Sequence, residues 1–173
     1  MTPERHDVTV TYLEQRHPPR GAAPVKPAFR TALMRAHEPP LPFYRYLWNA
    51  VGEPHLWVSR RYMDDEVLAR IVHDERVALY VLYKEGWPAG LAEVDWRGRP
   101  LADFKFFGLV PEAQGGGLGA WFLRQVLDLV WASEPERVII ETCSLDAPAA
   151  LRLYQRAGFS VYDQGKGVID WRG

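Results

Sequence analysis

The sequence has a single cysteine, Cys143, no long apolar run and no excess of charge of either sign. One cysteine excludes a disulfide framework within the chain and is typical of a reducing compartment, so we expect a cytoplasmic protein. No apolar run approaches the length of a membrane span and the first residues lead into no signal-peptide core, so we expect neither a membrane protein nor a secreted one. The formal net charge is −1 and no basic block stands out, which disfavours nucleic acid and membrane surfaces as partners.

Metal-ligand spacing is also missing. The five histidines are scattered along the chain, and neither they nor the cysteine form the pattern of a zinc site. We therefore expect no metal. The length of 173 residues suits one domain, 1–173, with a full hydrophobic core.

The apolar pattern predicts an α/β domain, with strands at 8–13, 77–83, 89–96, 101–110, 137–142 and 167–171. Helices are predicted at 43–51 and 64–73, after the glycines near 117, and between 146 and 158. Short glycine-containing connections join the strands between 77 and 110, which indicates an antiparallel meander. Prolines punctuate residues 17–42, so we expect that stretch to be mostly loop.

The most informative segment is a glycine cluster between an apolar strand and an amphipathic helix. The helix begins near Gly117, and its apolar pairs Phe122-Leu123 and Val126-Leu127 recur every four residues. A strand, glycines and a helix N-terminus form an anion-binding arrangement, because free N–H groups and the positive end of the helix dipole converge there. A flexible turn before an ordinary helix is the alternative.

Two phosphate-binding motifs do not fit this cluster. A P-loop needs Lys-Ser/Thr after its last glycine, whereas Ala120 follows Gly119. The dinucleotide pattern G-x-G-x-x-G fails in both registers, because its third glycine would fall on Ala120 or Phe122. What remains is Gln-x-x-Gly-x-Gly, formed by Gln114, Gly117 and Gly119.

This pattern resembles the acetyl-CoA signature of the GNAT superfamily of N-acetyltransferases. A second family motif, Asn-x-x-Ala-x-x-Leu-Tyr-x-x-x-Gly-Phe, is matched further along the chain at Ala150, Leu153, Tyr154, Gly158 and Phe159. Together the motifs cover residues 101–163. The resemblance implies a single-domain GNAT-like α/β fold, with a mixed central sheet, an antiparallel N-terminal meander and helices on both faces.

One position departs from the second motif. Ala147 stands where the family has Asn, and its side chain cannot form a hydrogen bond. Asp146, one residue earlier, is expected to cap the following helix, with Pro148 in the first turn and Gly158 at the end. We therefore interpret Asp146 as structural.

The resemblance implies that acetyl-CoA binds as acyl donor. It places the following residues at the cofactor: Leu109, Val110, Gln114, Gly115, Gly117, Leu118, Gly119 and Ala120. In the family, the strand that ends at Leu109 and Val110 splays from its neighbour, and its main chain pairs with the pantetheine arm and polarises the thioester carbonyl. Gly108 is compatible with the bulge that this requires, and an ordinary strand end is the alternative.

Acetyl transfer also needs a proton for the departing thiolate. Thiols titrate near about 8.5, so a weak acid suffices. The resemblance assigns this role to Tyr154, because the tyrosine at its motif position lies near the cofactor sulfur and is commonly the general acid. A core tyrosine is the alternative.

The acceptor amine must lose a proton before it attacks. Asp103 lies eleven residues before Gln114, where histone-acetyltransferase members of the superfamily place a glutamate base. Asp103 is one methylene shorter, so we expect a water relay. A simple ion pair with Lys105 is the alternative, and Glu93 and Asp95 are the next candidates.

The acceptor itself is predicted only as a primary amine of a small molecule or a peptide. The resemblance implies that it enters over residues 43–48 and Trp57, whose aromatic side chains we interpret as core rather than pocket. Cys143 is interpreted as a structural thiol. The sequence therefore predicts an N-acetyltransferase that works by direct transfer in a ternary complex. A non-catalytic acyl-CoA-binding module is the alternative, and a homodimer is possible.

Overall fold

Seven strands form one sheet in the computed structural model, which describes residues 2–173. The strands are β1 (Glu4–Gln15), β2 (Thr31–Ala36), β3 (Val77–Lys84), β4 (Trp87–Asp95), β5 (Leu101–Leu109), β6 (Arg137–Cys143) and β7 (Ser160–Trp171). The helices are α1 (Leu41–Gly52), α2 (Asp65–Val72), α3 (Leu118–Trp131) and α4 (Ala150–Arg156). The strand order is β2-β3-β4-β5-β6-β1-β7, and only β5 and β6 pair in parallel. The predicted mixed sheet is confirmed.

The antiparallel meander begins one strand earlier than the sequence predicts. β2 pairs with β3 along its whole length, so the prediction of a loop is wrong for residues 31–36. β2 is an edge strand, and its pairing needs only main-chain groups. Leu33 is half-buried while Ala32 and Met34 are exposed, so its apolar pattern is too weak to distinguish it from a loop.

The helices cover both faces of the sheet, as predicted. Phe106 and Phe107 are neighbours on β5 and point to opposite faces. The ring of Phe106 lies 5.3 Å from Trp48 of α1, and the ring of Phe107 lies 5.1 Å from Phe122 of α3. The apolar side of α3 that the periodicity predicts, including Phe122 and Leu123, is fully buried.

The turn before α4 differs from the prediction. Asp146 does not cap the helix, since one of its carboxylate oxygens accepts hydrogen bonds from the Thr142 hydroxyl at 2.7 Å and the Cys143 N–H at 2.8 Å. The carboxylate closes the turn after β6 instead, so Asp146 is structural, although not as a helix cap. Gly158, with a φ of +102°, follows the end of α4 as predicted.

β1 and β7 form a long antiparallel pair at the edge of the sheet. Their register runs from Glu4↔Trp171 to Glu14↔Ser160, and β1 also pairs with β6. Both strands extend beyond their predicted bounds. Much of β7 is exposed, so its outer residues lack the apolar alternation from which a strand is predicted.

A carboxylate is buried between α1 and β4. Glu93 has 0 % exposure and accepts hydrogen bonds from the Tyr44 hydroxyl at 2.5 Å and the Arg60 guanidinium at 2.7 Å. Burial and the Glu93 charge raise the pKa of Tyr44 well above its ordinary value. Burial alone would lower the pKa of Arg60, but the charge of Glu93 and the hydrogen bonds of Glu93 and Tyr44 together outweigh it and leave that pKa raised. The network is therefore a charged pair with a neutral tyrosine.

We expect the substitution Arg60→Met to lower the free energy of unfolding by about 3–5 kcal/mol, because it leaves the charge of Glu93 buried without a partner. The double variant Arg60→Met/Glu93→Leu removes both charges and should recover most of the loss. Urea denaturation of the three proteins measures both effects. An equal loss in the single and the double variant would contradict this account of Glu93.

Candidate active site

β5 and β6 run side by side only at their first residues. Their parallel pairing extends from Leu101↔Arg137 to Phe104↔Ile140, and no further pair joins them within residues 2–173. β5 continues to Leu109 and β6 to Cys143 as the two strands separate. The predicted splay is present, and it leaves main-chain groups of β5 without a protein partner on that side.

A bulge lies at the start of this opening. The register of β4 against β5 leaves Lys105 as an extra residue between Phe104 and Phe106. The expectation of a bulge at Gly108 is wrong, because Gly108 stays in register with β4. Its missing side chain serves another purpose, since a Cβ there would lie 2.5 Å from Cγ1 of Val51 on α1. Glycine at this position lets α1 approach β5 closely.

A cavity of about 1010 Å³ lies along the opening. One half is lined by the glycine loop before α3 and by α4, and we call it the cofactor half. The other half is lined by Val8 and Val10 of β1, Gly167–Ile169 of β7 and residues 55–59 of the α1–α2 loop, and we call it the acceptor groove. The separated parts of β5 and β6 lie between them. The lining of the cavity therefore comes from two groups of elements, on either side of the point where the strands part.

The glycine loop has the backbone of an anion cradle. Gly115, Gly116 and Gly117 have φ values of +90°, +65° and +79°, which only glycine adopts without strain. α3 has no side-chain cap, and the N–H of Trp121 is the first to bond back, to the carbonyl of Gly117. The N–H groups of the first turn therefore remain available to an anion at the positive end of the helix dipole.

The cavity brings together five of the predicted cofactor residues: Leu109, Gln114, Gly115, Gly117 and Gly119. Leu118 is fully buried and Ala120 is half-buried, and neither lines the cavity. Both belong to the first turn of α3, so these two residues can contribute through main-chain N–H groups only.

Val110 has no free main-chain group. Its N–H donates to the carbonyl of Ala89 at 2.9 Å, and its carbonyl accepts from the N–H of Ala113 at 2.9 Å. This corrects the expectation that Val110 pairs with the cofactor. Neighbouring residues of a strand direct their main-chain groups to opposite sides. The N–H and carbonyl of Leu109 therefore face the opening.

Two arginines in the cofactor half escaped the sequence prediction. Arg152 and Arg156 lie four residues apart on α4 and line the same region as the glycine loop. Their i, i+4 spacing within the second motif was the available signal. The two positive charges of these arginines make this part of the cavity more favourable for binding an anion.

Tyr154 lies directly behind the cavity wall. Its ring packs edge-on against Phe107 and Phe159, each at 6.2 Å, and the residue is 5 % exposed. Burial, assisted by the charge of Asp146, raises the pKa of the hydroxyl well above its ordinary value, so the group stays protonated. The hydroxyl donates to no protein group within residues 2–173. A hydroxyl without a protein partner is available to a bound molecule.

Asp103 does not line the cavity. Its carboxylate accepts from Nζ of Lys105 at 2.6 Å, which is the ion pair that the sequence offered as the alternative. Burial raises the pKa of Asp103 above its ordinary value, and Lys105 opposes part of that shift. Lys105 does line the cavity, so Asp103 reaches it only through this lysine or through water.

The other carboxylates considered from the sequence are also engaged. Glu93 belongs to the buried network, and Asp95 accepts from the guanidinium of Arg97 at 2.7 Å. Glu141, which the sequence prediction passed over, lines the cavity immediately after Ile140, the last residue of β6 that pairs with β5. No side-chain bond of Glu141 is formed within residues 2–173. Of the two carboxylates in the lining, Glu141 and Asp146, it is therefore the one without a protein partner in that part of the chain.

The α1–α2 loop crosses to the opposite side of the opening. The indole N–H of Trp57 donates to Asp146 at 3.2 Å, and Nδ1 of His55 lies 3.2 Å from the carbonyl oxygen of Leu145. The ring of Trp57 also packs 5.1 Å from Phe106. Trp57 therefore lines the cavity, whereas Tyr44, Leu47 and Trp48 are core residues as interpreted from the sequence.

In the part of the chain that the structure describes, no helix is long and apolar enough to cross a membrane. Those same residues, 2–173, contain no group of three or more His, Cys, Asp or Glu side chains placed to hold a metal ion.

The model of the acetyltransferase (GNAT) family matches residues 32–159. The chain belongs to the GNAT acetyltransferase family. The match runs from β2 to the end of α4 and contains both motifs, so it includes the glycine loop and the opening between β5 and β6. β1 and β7 of this GNAT chain lie outside the match.

Solved structures share the fold of this GNAT chain. A functionally unknown conserved protein from Staphylococcus epidermidis matches 95% of the chain and 62% of its own, with 12% identity and a TM-score of 0.61. A putative GNAT acetyltransferase from Novosphingobium aromaticivorans matches 97% and 66%, with 19% identity and a TM-score of 0.64. The ribosomal-protein-S18-alanine N-acetyltransferase from Escherichia coli matches 82% and 94%, with 15% identity and a TM-score of 0.62.

The sequence identities to these three structures are 12%, 19% and 15%. At such identities the likeness concerns the fold alone. The chain spans less than two thirds of the length of the first two structures. No curated protein sequence matches it.

Cys143 lines the cavity at the end of β6, and its reactivity provides a test of this environment. Burial raises the pKa of its thiol, and the charge of Asp146 raises it further, so less thiolate is present at neutral pH. We expect iodoacetamide to alkylate Cys143 more slowly than in the unfolded chain, with the rate midpoint at higher pH. Mass spectrometry across a pH series measures this at the single cysteine.

The variant Asp146→Asn is the comparison for this measurement. Removing the negative charge should lower the thiol pKa and speed alkylation at neutral pH. A rate midpoint shared by the folded protein and the unfolded chain would contradict the described environment of Cys143.

Proposed function

We propose that this GNAT protein transfers the acetyl group of acetyl-CoA to a primary amine while both molecules are bound. The observation that carries the proposal is the continuous cavity, in which the glycine loop and the acceptor groove meet where β5 and β6 part. Direct transfer requires two binding regions that share one reaction point. This arrangement supports a ternary complex without an acyl-enzyme.

The cofactor half fits acetyl-CoA in charge and in shape. Gly115, Gly117 and the first-turn N–H groups of α3 would hold the pyrophosphate, with the positive charges of Arg152 and Arg156 beside it. The main chain of Leu109 would pair with the pantetheine arm. When bound, acetyl-CoA supplies a thioester whose acyl carbon is open to attack by an amine.

Two groups of the chain would act at the thioester. The N–H of Leu109 faces the opening and would polarise the acyl carbonyl. The hydroxyl of Tyr154, kept protonated by burial, would donate to the departing sulfur. Burial raises the pKa of a thiol as well as that of a phenol. The pKa values of the proton donor and of the proton acceptor therefore shift in the same direction.

Asp103 remains the proposed base, acting through water. An alkylammonium has a pKa near about 10, so it must lose a proton before it attacks. The raised pKa of Asp103 makes its carboxylate a better proton acceptor than an ordinary aspartate. Glu141 lines the cavity directly and is the alternative acceptor of the proton.

The substitution Gly117→Ala tests the cradle. We expect it to weaken CoA binding at least tenfold in calorimetric titration, because the added Cβ strains a φ of +79° and enters the space that a phosphate would occupy. Gly86→Ala is the matched control, since Gly86 has a φ of +91°, equally open surroundings and a place in the β3–β4 turn. Equal CoA affinity of Gly117→Ala and the unaltered chain would show that the pyrophosphate lies elsewhere.

The substitution Tyr154→Phe tests the proton donor. It keeps the ring against Phe107 and Phe159, so we expect CoA affinity to stay nearly intact while kcat for thiol release falls by about 100-fold. Tyr162→Phe is the control, because Tyr162 lies exposed on β7.

Thiol release from acetyl-CoA across a panel of amines measures both variants. An unchanged kcat in Tyr154→Phe would remove it as the acid. Tight CoA binding without thiol release from any amine by the unaltered chain would favour the non-catalytic acyl-CoA-binding module.

A further inference from the structure

We propose that the acceptor groove takes a small molecule with one primary ammonium group on an apolar body, and that Ile169 of β7 helps to select it. This inference rests on the proposed function and deepens it by naming the class of acceptor. It is carried by the lining of the groove, by its boundaries and by its charge.

The lining of the groove is mainly apolar. Apart from His55 and Ser59, its side chains from β1, β7 and residues 55–59 are aliphatic or aromatic. Ile169 of β7 lines the cavity and points to the same face of the sheet as Val8 and Val10, whereas its neighbour Val168 points to the other face. Ligand sites generally combine apolar walls with a few polar groups that orient the ligand. This lining suits a molecule whose body is hydrocarbon.

The groove is bounded at both ends of the α1–α2 loop. At one end, Trp57 bonds to Asp146 at the turn after β6. At the other end, the guanidinium of Arg61 lies 4.4 Å over the ring of Trp171, and the N–H of Arg172 donates to the Tyr62 hydroxyl at 3.0 Å. The end of β7 is therefore attached to the same loop.

A groove held between these attachments differs from the surfaces that bind peptides. Extended peptides are usually bound along an open sheet edge or in an uninterrupted groove. Here the loop is attached to the turn after β6 on one side of the apolar lining and to β7 on the other. The boundaries therefore favour a small molecule over a polypeptide.

The charge near the groove matches a single ammonium group. The carboxylates that line the cavity are Glu141 and Asp146. Both oxygens of Asp146 accept hydrogen bonds from the protein, whereas Glu141 forms no side-chain bond within residues 2–173. Lys105 also lines the cavity, but its charge is paired with Asp103. A second ammonium group would face apolar side chains without a partner, which is unfavourable.

The wall formed by β1 and β7 lies outside the segment that the family model matches. The family match ends before β7 and begins after β1, so it includes the cofactor half but not this side of the groove. Residues that select an acceptor must differ among enzymes that share a donor. Ile169 lies in the part of the chain where such differences are expected.

A panel of acceptors at saturating acetyl-CoA tests the proposed class. We expect kcat/KM for 2-phenylethylamine to exceed that for ethanolamine, for kanamycin and for an alanine-terminated peptide at least tenfold. The first two amines carry one ammonium group each and differ mainly in the apolar body. A preference for kanamycin, ethanolamine or the peptide would overturn the inference.

The variant Ile169→Asn tests the selecting residue. It removes apolar contact without adding charge, so we expect the preference for 2-phenylethylamine over ethanolamine to fall about tenfold while KM for acetyl-CoA is unchanged. Val161→Asn is the matched control, because Val161 lies on the same strand, is 43% exposed and does not line the cavity.

The outcomes separate this inference from the function on which it rests. An unchanged preference in Ile169→Asn overturns the role of Ile169, while acetyl transfer by the unaltered chain still supports the proposed function. Absence of transfer to every amine overturns the proposed function and, with it, the acceptor class.

Discussion

The pairing of β5 with β6 stops after Phe104↔Ile140, and both halves of the cavity depend on that stop. β4 pairs with β5 as far as Leu109. This pairing holds β5 in place although β6 no longer pairs with its other side. The bulge at Lys105 lies at the point of separation. The main chain that would form a β-ladder is thereby made available to a ligand, at the place where donor and acceptor can meet.

Packing on the α1 side holds this opening. Because Gly108 has no side chain, Val51 can pack directly against β5, and the rings of Trp48 and Trp57 pack on Phe106. Behind them, Glu93 bonds to Arg60, which belongs to the same loop as Trp57. A buried ion pair adds little stability compared with an apolar core of the same shape, but it requires one geometry. Its contribution here is to fix the loop that lines the acceptor groove.

The cofactor half was more accessible to sequence reasoning than the rest of the site. The positive φ values at Gly115–Gly117 are a local backbone property, and the glycines in the sequence indicate them directly. The bulge at Lys105 arises from the register of two strands, and the role of Asp146 depends on a turn that closes before α4 begins. The strand β2 was missed because an edge strand is held by main-chain pairing. These features come from contacts between distant residues, which neither propensity nor periodicity encodes.

The same contrast explains why the donor is easier to infer than the acceptor. The cradle uses main-chain N–H groups and the direction of a helix, and many side-chain substitutions leave both intact. Solved structures with 12–19% identity can therefore share the fold of this chain. The acceptor groove is formed by side chains, in part on a strand outside the family match, and each substitution there changes the surface that a ligand meets. Ile169 can therefore vary without disturbing the donor site, which allows one scaffold to serve different amines.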